Sequence, residues 1–131
     1  RVLEELYRVL RPGGKLYLTA PQGWGLHHEP YNFFSFTRYG LDLLFNDVGF
    51  QVITIRERGG FFWYLGKRLR TLVPYLYAQR NGIGKLFMFG MFLFSAPILR
   101  YALPMALFYL DPLDKKKGYT LGYACVCKKP E

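Results

Sequence analysis

Between Gly60 and Leu110 this chain contains no aspartate and no glutamate, although the 131-residue sequence holds nine acidic residues elsewhere. That absence excludes a salt-bridged, mixed-charge surface over the segment. Cysteine is scarce as well. Cys125 and Cys127 are the only two, so no framework of disulfides can organise the fold. Two residues apart on a strand they face the same side, which is poor geometry for bonding to each other. They read as reduced thiols of a cytosolic protein, in the core or at the surface. Histidine is limited to the adjacent pair His27 and His28. Two thiolates with no further Cys or His nearby make a weak zinc signal, and His27, His28 and Glu29 are too close in sequence to converge easily on one ion, so no metal is expected. There is no internal repeat.

What is present is apolar and basic. Hydrophobic residues make up 51% and aromatics 19% of the chain, and the formal net charge is +9. Such a composition excludes a disordered chain, and the length suits a single domain.

The first residues carry a helix signal. Val2, Leu3, Leu6, Val9 and Leu10 fall on one face at helical spacing. Pro12 forbids continuation, and Gly13-Gly14 can adopt the positive φ that commonly ends a helix. KLYLTA, from Lys15 to Ala20, then reads as a short and mostly buried strand closed by Pro21. Helix, Gly-rich break and strand form the second half of a βαβ crossover, which belongs to a parallel sheet covered by helices. No strand precedes the helix, so the chain is expected to be part of a longer protein. Further on, Thr37 can cap a helix whose apolar residues Leu41, Leu44, Phe45 and Val48 share a face. Gly49 ends it, and Phe50 to Arg56 is a β-branched strand. A polar turn, DPLDKKKG, leads to a last strand predicted from Tyr119 to Cys127.

The segment from Gly60 to Leu110 has a different chemistry. Lys67, Arg68, Arg70, Arg80, Lys85 and Arg100 are its six charged residues, all basic, and it holds 13 of the 25 aromatics. Nucleic acid is an unlikely partner, because phosphate neutralisation needs clustered cations and the run from Leu86 to Leu99 has none. FFWYLGKRLRTLV instead sets Phe62 and Trp63 beside Lys67, Arg68 and Arg70, as helices lying on an anionic membrane surface do. Leu86 to Leu110 is long enough to span a bilayer. Arg100 near its centre costs about 2.5–3.5 kcal/mol on insertion scales, however, and Pro97 and Pro104 are expected to break the helix. Helices lying in the membrane plane are therefore expected, with self-packing or a homodimer through 60–110 as the other reading.

The order RVLRPGGKLYLTAP, HHEPYNFFSFT, GLDLLFNDVGF, FQVITI resembles the C-terminal half of class I S-adenosylmethionine-dependent methyltransferases, in particular the type 11 methyltransferase domain. Those proteins carry a similar VLKPGG turn before their fifth strand, and many continue with a His-containing loop, an FF-aromatic-Thr segment and a helix ending in aGF. Ser35 differs, standing where relatives often have Arg. The resemblance covers residues 1 to 57 and, more loosely, the last strand.

The resemblance implies an α/β fold: the C-terminal half of a Rossmann-like sheet of three strands, the last antiparallel and inserted between the other two. Residues 1–59 would form this half, 60–110 an inserted helical basic-aromatic subdomain, and 111–131 the final strand. It implies a parent enzyme that uses S-adenosylmethionine, with a cofactor site built mostly by the first four strands. Gly13-Gly14 is no substitute for that site, because it follows a helix and precedes a strand, the reverse of what a cofactor loop needs. The loop after the first strand leaves a carboxyl end, where doubly wound sheets bind ligands. There His28 is the candidate base, with Trp24, His27, Glu29 and Tyr31 as candidate acceptor-binding residues. The same residues could simply be loop residues bonded to neighbouring backbone. Tyr31, Phe33, Phe34 and Phe36 read as a hydrophobic lid or core. The expected acceptor is amphiphilic or lipid-linked, and the expected location cytoplasmic and peripheral on the inner face of the membrane. The alternative is a catalytically inactive membrane-peripheral or protein-interaction module.

Overall fold

The amphipathic start of the chain becomes α1, Val2–Val9, in a computed structural model that describes residues 1–25, 29–78 and 81–131. The RPGG break follows, with Gly13 at φ 73°, a left-handed conformation that costs glycine little. β1, Lys15–Pro21, then runs to the loop that leads to α2, Arg38–Val48. Local chemistry bounds α2 at both ends. The Gly40 N–H donates to the Thr37 hydroxyl at 3.1 Å, and Gly49 closes the helix at φ 95°. The chain turns directly into β2, Gln51–Glu57.

Thr120 holds the entry to the last strand, its hydroxyl donating to the carbonyls of Arg58 and Gly122 at 3.2 and 2.9 Å. The strand β3 therefore starts later than Tyr119. It spans Gly122–Lys128. Its position is the one expected: the order is β1-β3-β2, and β3 is antiparallel to both neighbours. Leu16 and Val52 both face Cys127, while Leu18 and Ile55 face Cys125. The register shifts between Val52 and Thr54, which keeps Val52 and Ile55 on the core side.

That side packs on α2. Leu41, Phe45, Phe50, Tyr123, Cys125 and Cys127 are buried together, with Tyr7 and Leu10 of the first segment against them. Phe50 meets Phe45 and Tyr7 edge-on at 6.3 and 4.9 Å, a favoured aromatic geometry. Lys129, just past β3, donates to the carbonyls of Tyr7 and Leu10 at 2.8 and 2.9 Å. Its ammonium so satisfies the end of α1 and opposes the helix dipole.

Both thiols lie in this core. Desolvation raises the Cys125 pKa, and desolvation first, then the charges of Cys125 and Asp42, pushes Cys127 up from 9.0 to about 11. A thiol held neutral in the fold but ionised at 9.0 when unfolded supports stability below pH 9, and that support is lost as pH rises toward 11. Alkylation at neutral pH should therefore be slow until urea unfolds the chain. The urea midpoint should also fall more steeply above pH 9 than in Cys127→Ala. Equal native and unfolded thiol reactivity would contradict the burial.

The chain divides into two units: residues 1–58 with 120–131, described above, and residues 59–119. The second unit is helical. α3 covers Phe61–Ala78 and continues through Pro74; α4 covers Ile83–Pro97. A π-helical turn, Ile98–Ala102, leads into α5, Leu103–Leu110, and a 3-10 turn, Asp111–Leu113. The expected break at Pro97 and Pro104 is corrected here. The two prolines bracket the π turn, where the Leu103 N–H reaches back to the Ile98 carbonyl, and the helical path goes on. A wider turn absorbs the steric clash and missing donor that proline brings.

Candidate functional site

The carboxyl end of β1 opens into the loop that sequence reasoning singled out. The loop's start is fixed by Gln22 and Gly23, whose N–H groups donate to the Leu121 carbonyl at 3.0 and 3.3 Å, and its end by the Phe36 N–H on the Pro21 carbonyl at 3.1 Å. Trp24, Glu29 and Tyr31 are exposed on it, and His27 and His28 lie outside the described residues. Tyr31, Phe33 and Phe34 form an exposed chain of ring contacts at 6.5 Å each, whereas Phe36 packs on the core. Of the lid-or-core set, one residue is core and three face outward. Gln22 was not singled out in the sequence. Its Oε1 is buried and has no hydrogen-bond partner among the described residues, an acceptor in need of a donor.

The helical unit presents a different kind of surface. Among its described residues Leu107 is the one buried large hydrophobic, while Ile83, Phe94 and Tyr109 are 88%, 84% and 74% exposed. Isolated exposed apolar residues are ordinary, but a whole helical unit of them marks a surface meant to be covered. Trp63 packs edge-on against Phe108 at 5.1 Å and Phe62 against Phe61 at 5.7 Å. The Arg68 guanidinium lies over the Tyr64 ring at 4.9 Å. Lys67 and Arg70 stand on a neighbouring face of α3, with Lys67 half-buried and Arg70 exposed.

Among the described residues one helical run, Phe92–Leu113, is long and apolar enough to cross a membrane, with mean hydropathy 1.4. Its place in the chain argues against crossing. β2 precedes the helical unit and β3 follows it, yet they are paired in one sheet, so the chain must return to the side it left. α3 could serve as a second span only with Lys67, Arg68 and Arg70 inside the bilayer.

What closes this excursion was not read from the sequence. The start of α3 lacks a local cap, and its orphan N–H groups meet two carboxylates about fifty residues away in sequence. Asp111, buried, accepts from Gly60 at 3.0 and 2.9 Å and from Trp63 at 2.8 Å. Asp114 accepts from Phe61 at 2.7 Å and from Lys117 at 3.0 Å. The Phe61 bond is the largest influence lowering the Asp114 pKa, opposed by desolvation. A Gly-Gly pair before a helix with no Ser, Thr, Asp or Asn cap was the available signal.

No protein-family model matches the chain, and no curated protein matches it. Among the described residues no group of three His, Cys, Asp or Glu side chains could hold a metal ion.

Proposed function

We propose that this chain is the C-terminal half of a class I S-adenosylmethionine-dependent methyltransferase that works at a membrane surface on an amphiphilic or lipid-linked acceptor. The observation that carries the reading is the strand order: β1 and β2 run parallel, joined through α2, with the last strand antiparallel between them. That order is the one the resemblance implies for the family's final three strands. Two further features agree with it. β1 has no strand on its outer edge among the described residues, and Tyr17 on β1 is 71% exposed, which suits a surface completed by further sheet and helices.

On this reading the cofactor cradle is built by strands other than these three. Gly13 and Gly14 sit before β1, at the end opposite to the one where such sheets bind ligands. The first unit offers the acceptor side, the loop with Gln22, Trp24, Glu29 and Tyr31, and the helical unit, taken by itself, offers a surface for the membrane. Positive charge on that unit favours the anionic cytoplasmic leaflet, hence a peripheral location on the inner face.

Calorimetric titration tests the assignment. The isolated chain should show no micromolar affinity for S-adenosylmethionine, and the complete gene product carrying it should. Micromolar binding by the chain alone would contradict the division of labour. No binding by either protein would favour the inactive interaction module.

A further inference from the structure

Lys67 and Arg70 stand at i and i+3 on α3, in register with Trp63 before them and Pro74 after, so one face of the helix carries all four. This face lines a cleft of about 750 Å³, with Arg100, Met105 and Phe108 contributed by the returning helices. α3 and α5 approach closely at Gly66, where an added Cβ would stand 3.1 Å from the Pro104 Cα. A second cavity of about 240 Å³ is lined by Pro74, Tyr77, Phe89, Phe92 and Arg100. The two share Pro74 and Arg100, so one cation lines both the basic cleft and the aromatic one.

The charge balance is one-sided. Three cations line the larger cleft and no carboxylate lines either cavity among the described residues. The acids that follow the segment, Asp111 and Asp114, are taken up by the first turn of α3. Like charges gathered on an apolar floor repel one another unless an anion joins them. Arg100 comes from the π-helical turn, a deformation often found where a side chain serves a site.

We infer that this pair of cavities binds one anionic amphiphile. Its phosphate or diphosphate headgroup meets Lys67, Arg70 and Arg100, and its hydrocarbon chain lies against Phe89 and Phe92. Guanidinium groups suit this headgroup because their paired donors match phosphate oxygens. A free inorganic anion would leave the aromatic cavity unused, and a neutral lipid would make no use of the Arg70 and Arg100 guanidinium groups. The inference deepens the membrane part of the proposed function and rests on that part, but it does not depend on methyl transfer. Adsorption to a bilayer needs only charge and apolar area, whereas a cleft needs one ligand per chain.

Short-chain amphiphiles that stay monomeric separate the two. The full chain with Trp24→Phe leaves Trp63, on the cleft wall, as the fluorescent reporter. Titration with dihexanoyl phosphatidic acid below its micelle threshold should give a saturable one-to-one change. Arg70→Gln and Arg100→Gln should each weaken it about tenfold or more, and Arg100→Lys should recover part of the loss. Lys115→Gln, outside the cleft, should change nothing. Inorganic phosphate and dihexanoylglycerol should each bind at least about tenfold more weakly than the phosphatidic acid. If Arg100→Gln does not fold, Arg70→Gln carries the comparison, with circular dichroism as the check. Unchanged affinity in folded arginine variants, equal binding of inorganic phosphate, or no saturation would each overturn the inference. Loss of the saturable signal while vesicle adsorption persists would overturn it alone and leave the membrane reading standing.

Discussion

Centrifuged with vesicles rich in anionic lipid, the protein is expected in the pellet, and high salt is expected to release only part of it. Two forces act at different ranges. Each Lys or Arg near an anionic surface contributes about 1 kcal/mol, and screening contracts from about 8 Å at physiological ionic strength to about 3 Å at 1 M salt. Replacing Lys67, Arg68 and Arg70 by Gln should therefore remove about 3 kcal/mol, roughly a hundredfold in partition, and with it most of the salt sensitivity. The apolar part should survive salt. Sequence reasoning would probe it at Phe62 and Trp63, but Trp63 packs on Phe108 and Phe62 is half-buried. Ile83 and Phe94, 88% and 84% exposed, are the better probes. Burying one such side chain contributes about 1.5–3 kcal/mol, so Phe94→Ser should reduce binding roughly ten- to a hundredfold at any salt concentration. Near-complete release by salt with no vesicle preference would point to nucleic acid. A discrete dimer that ignores vesicles would point to self-packing through 60–110.

Asp111→Ala is expected to destabilise the helical unit by about 3 kcal/mol, a large fraction of the 5–15 kcal/mol typical of a folded protein. The buried carboxylate answers the Gly60 and Trp63 N–H groups together, so alanine leaves both donors without an acceptor. Asp111→Asn keeps one acceptor oxygen and should lose about half as much. Hydrogen exchange at residues 60–63 should accelerate in both variants, with the core of residues 1–58 and 120–131 unaffected. Asp114 adds a pH dependence to the same corner. Its pKa lies below 3.8 in the fold because the Phe61 N–H favours the charged form. Its contribution is therefore complete above the unfolded value and lost as the pH falls through the folded one. Acid should lower the protection factor of the Phe61 amide, the slowing of its exchange relative to the unfolded chain at the same pH, before it affects the sheet. A melting temperature for Asp111→Ala within a degree of the parent would show that the carboxylate does not hold the unit closed.

How much of this could be read from the chain depends on how far apart the interacting groups lie. The bounds of α2 were legible because Thr37 and Gly49 act within one turn. The strands were legible because β-branched and apolar residues sit between Gly and Pro. The start of β3 was placed too early because Tyr119 continues an apolar pattern, while the Thr120 hydroxyl is committed to the Arg58 and Gly122 carbonyls. The π turn carries no local signature beyond two prolines, and either a break or a wider turn satisfies them. Asp111 looked like part of a polar turn, since its partners lie at the far end of the helical excursion. The cleft was half legible. The spacing of Lys67 and Arg70 marks one wall, but Arg100 and Phe108 reach it only through tertiary packing.

Transfer of labelled methyl groups decides whether a methyltransferase half is joined to a membrane-facing helical unit, as proposed. The complete gene product would be incubated with S-adenosylmethionine labelled on its methyl group and with membranes, then extracted with organic solvent. Label recovered in the organic phase, and reduced by the Lys67, Arg68 and Arg70 to Gln replacement, is the result expected of an amphiphilic acceptor at an anionic surface. Label confined to water-soluble products, or transfer indifferent to both membranes and the replacement, would contradict it.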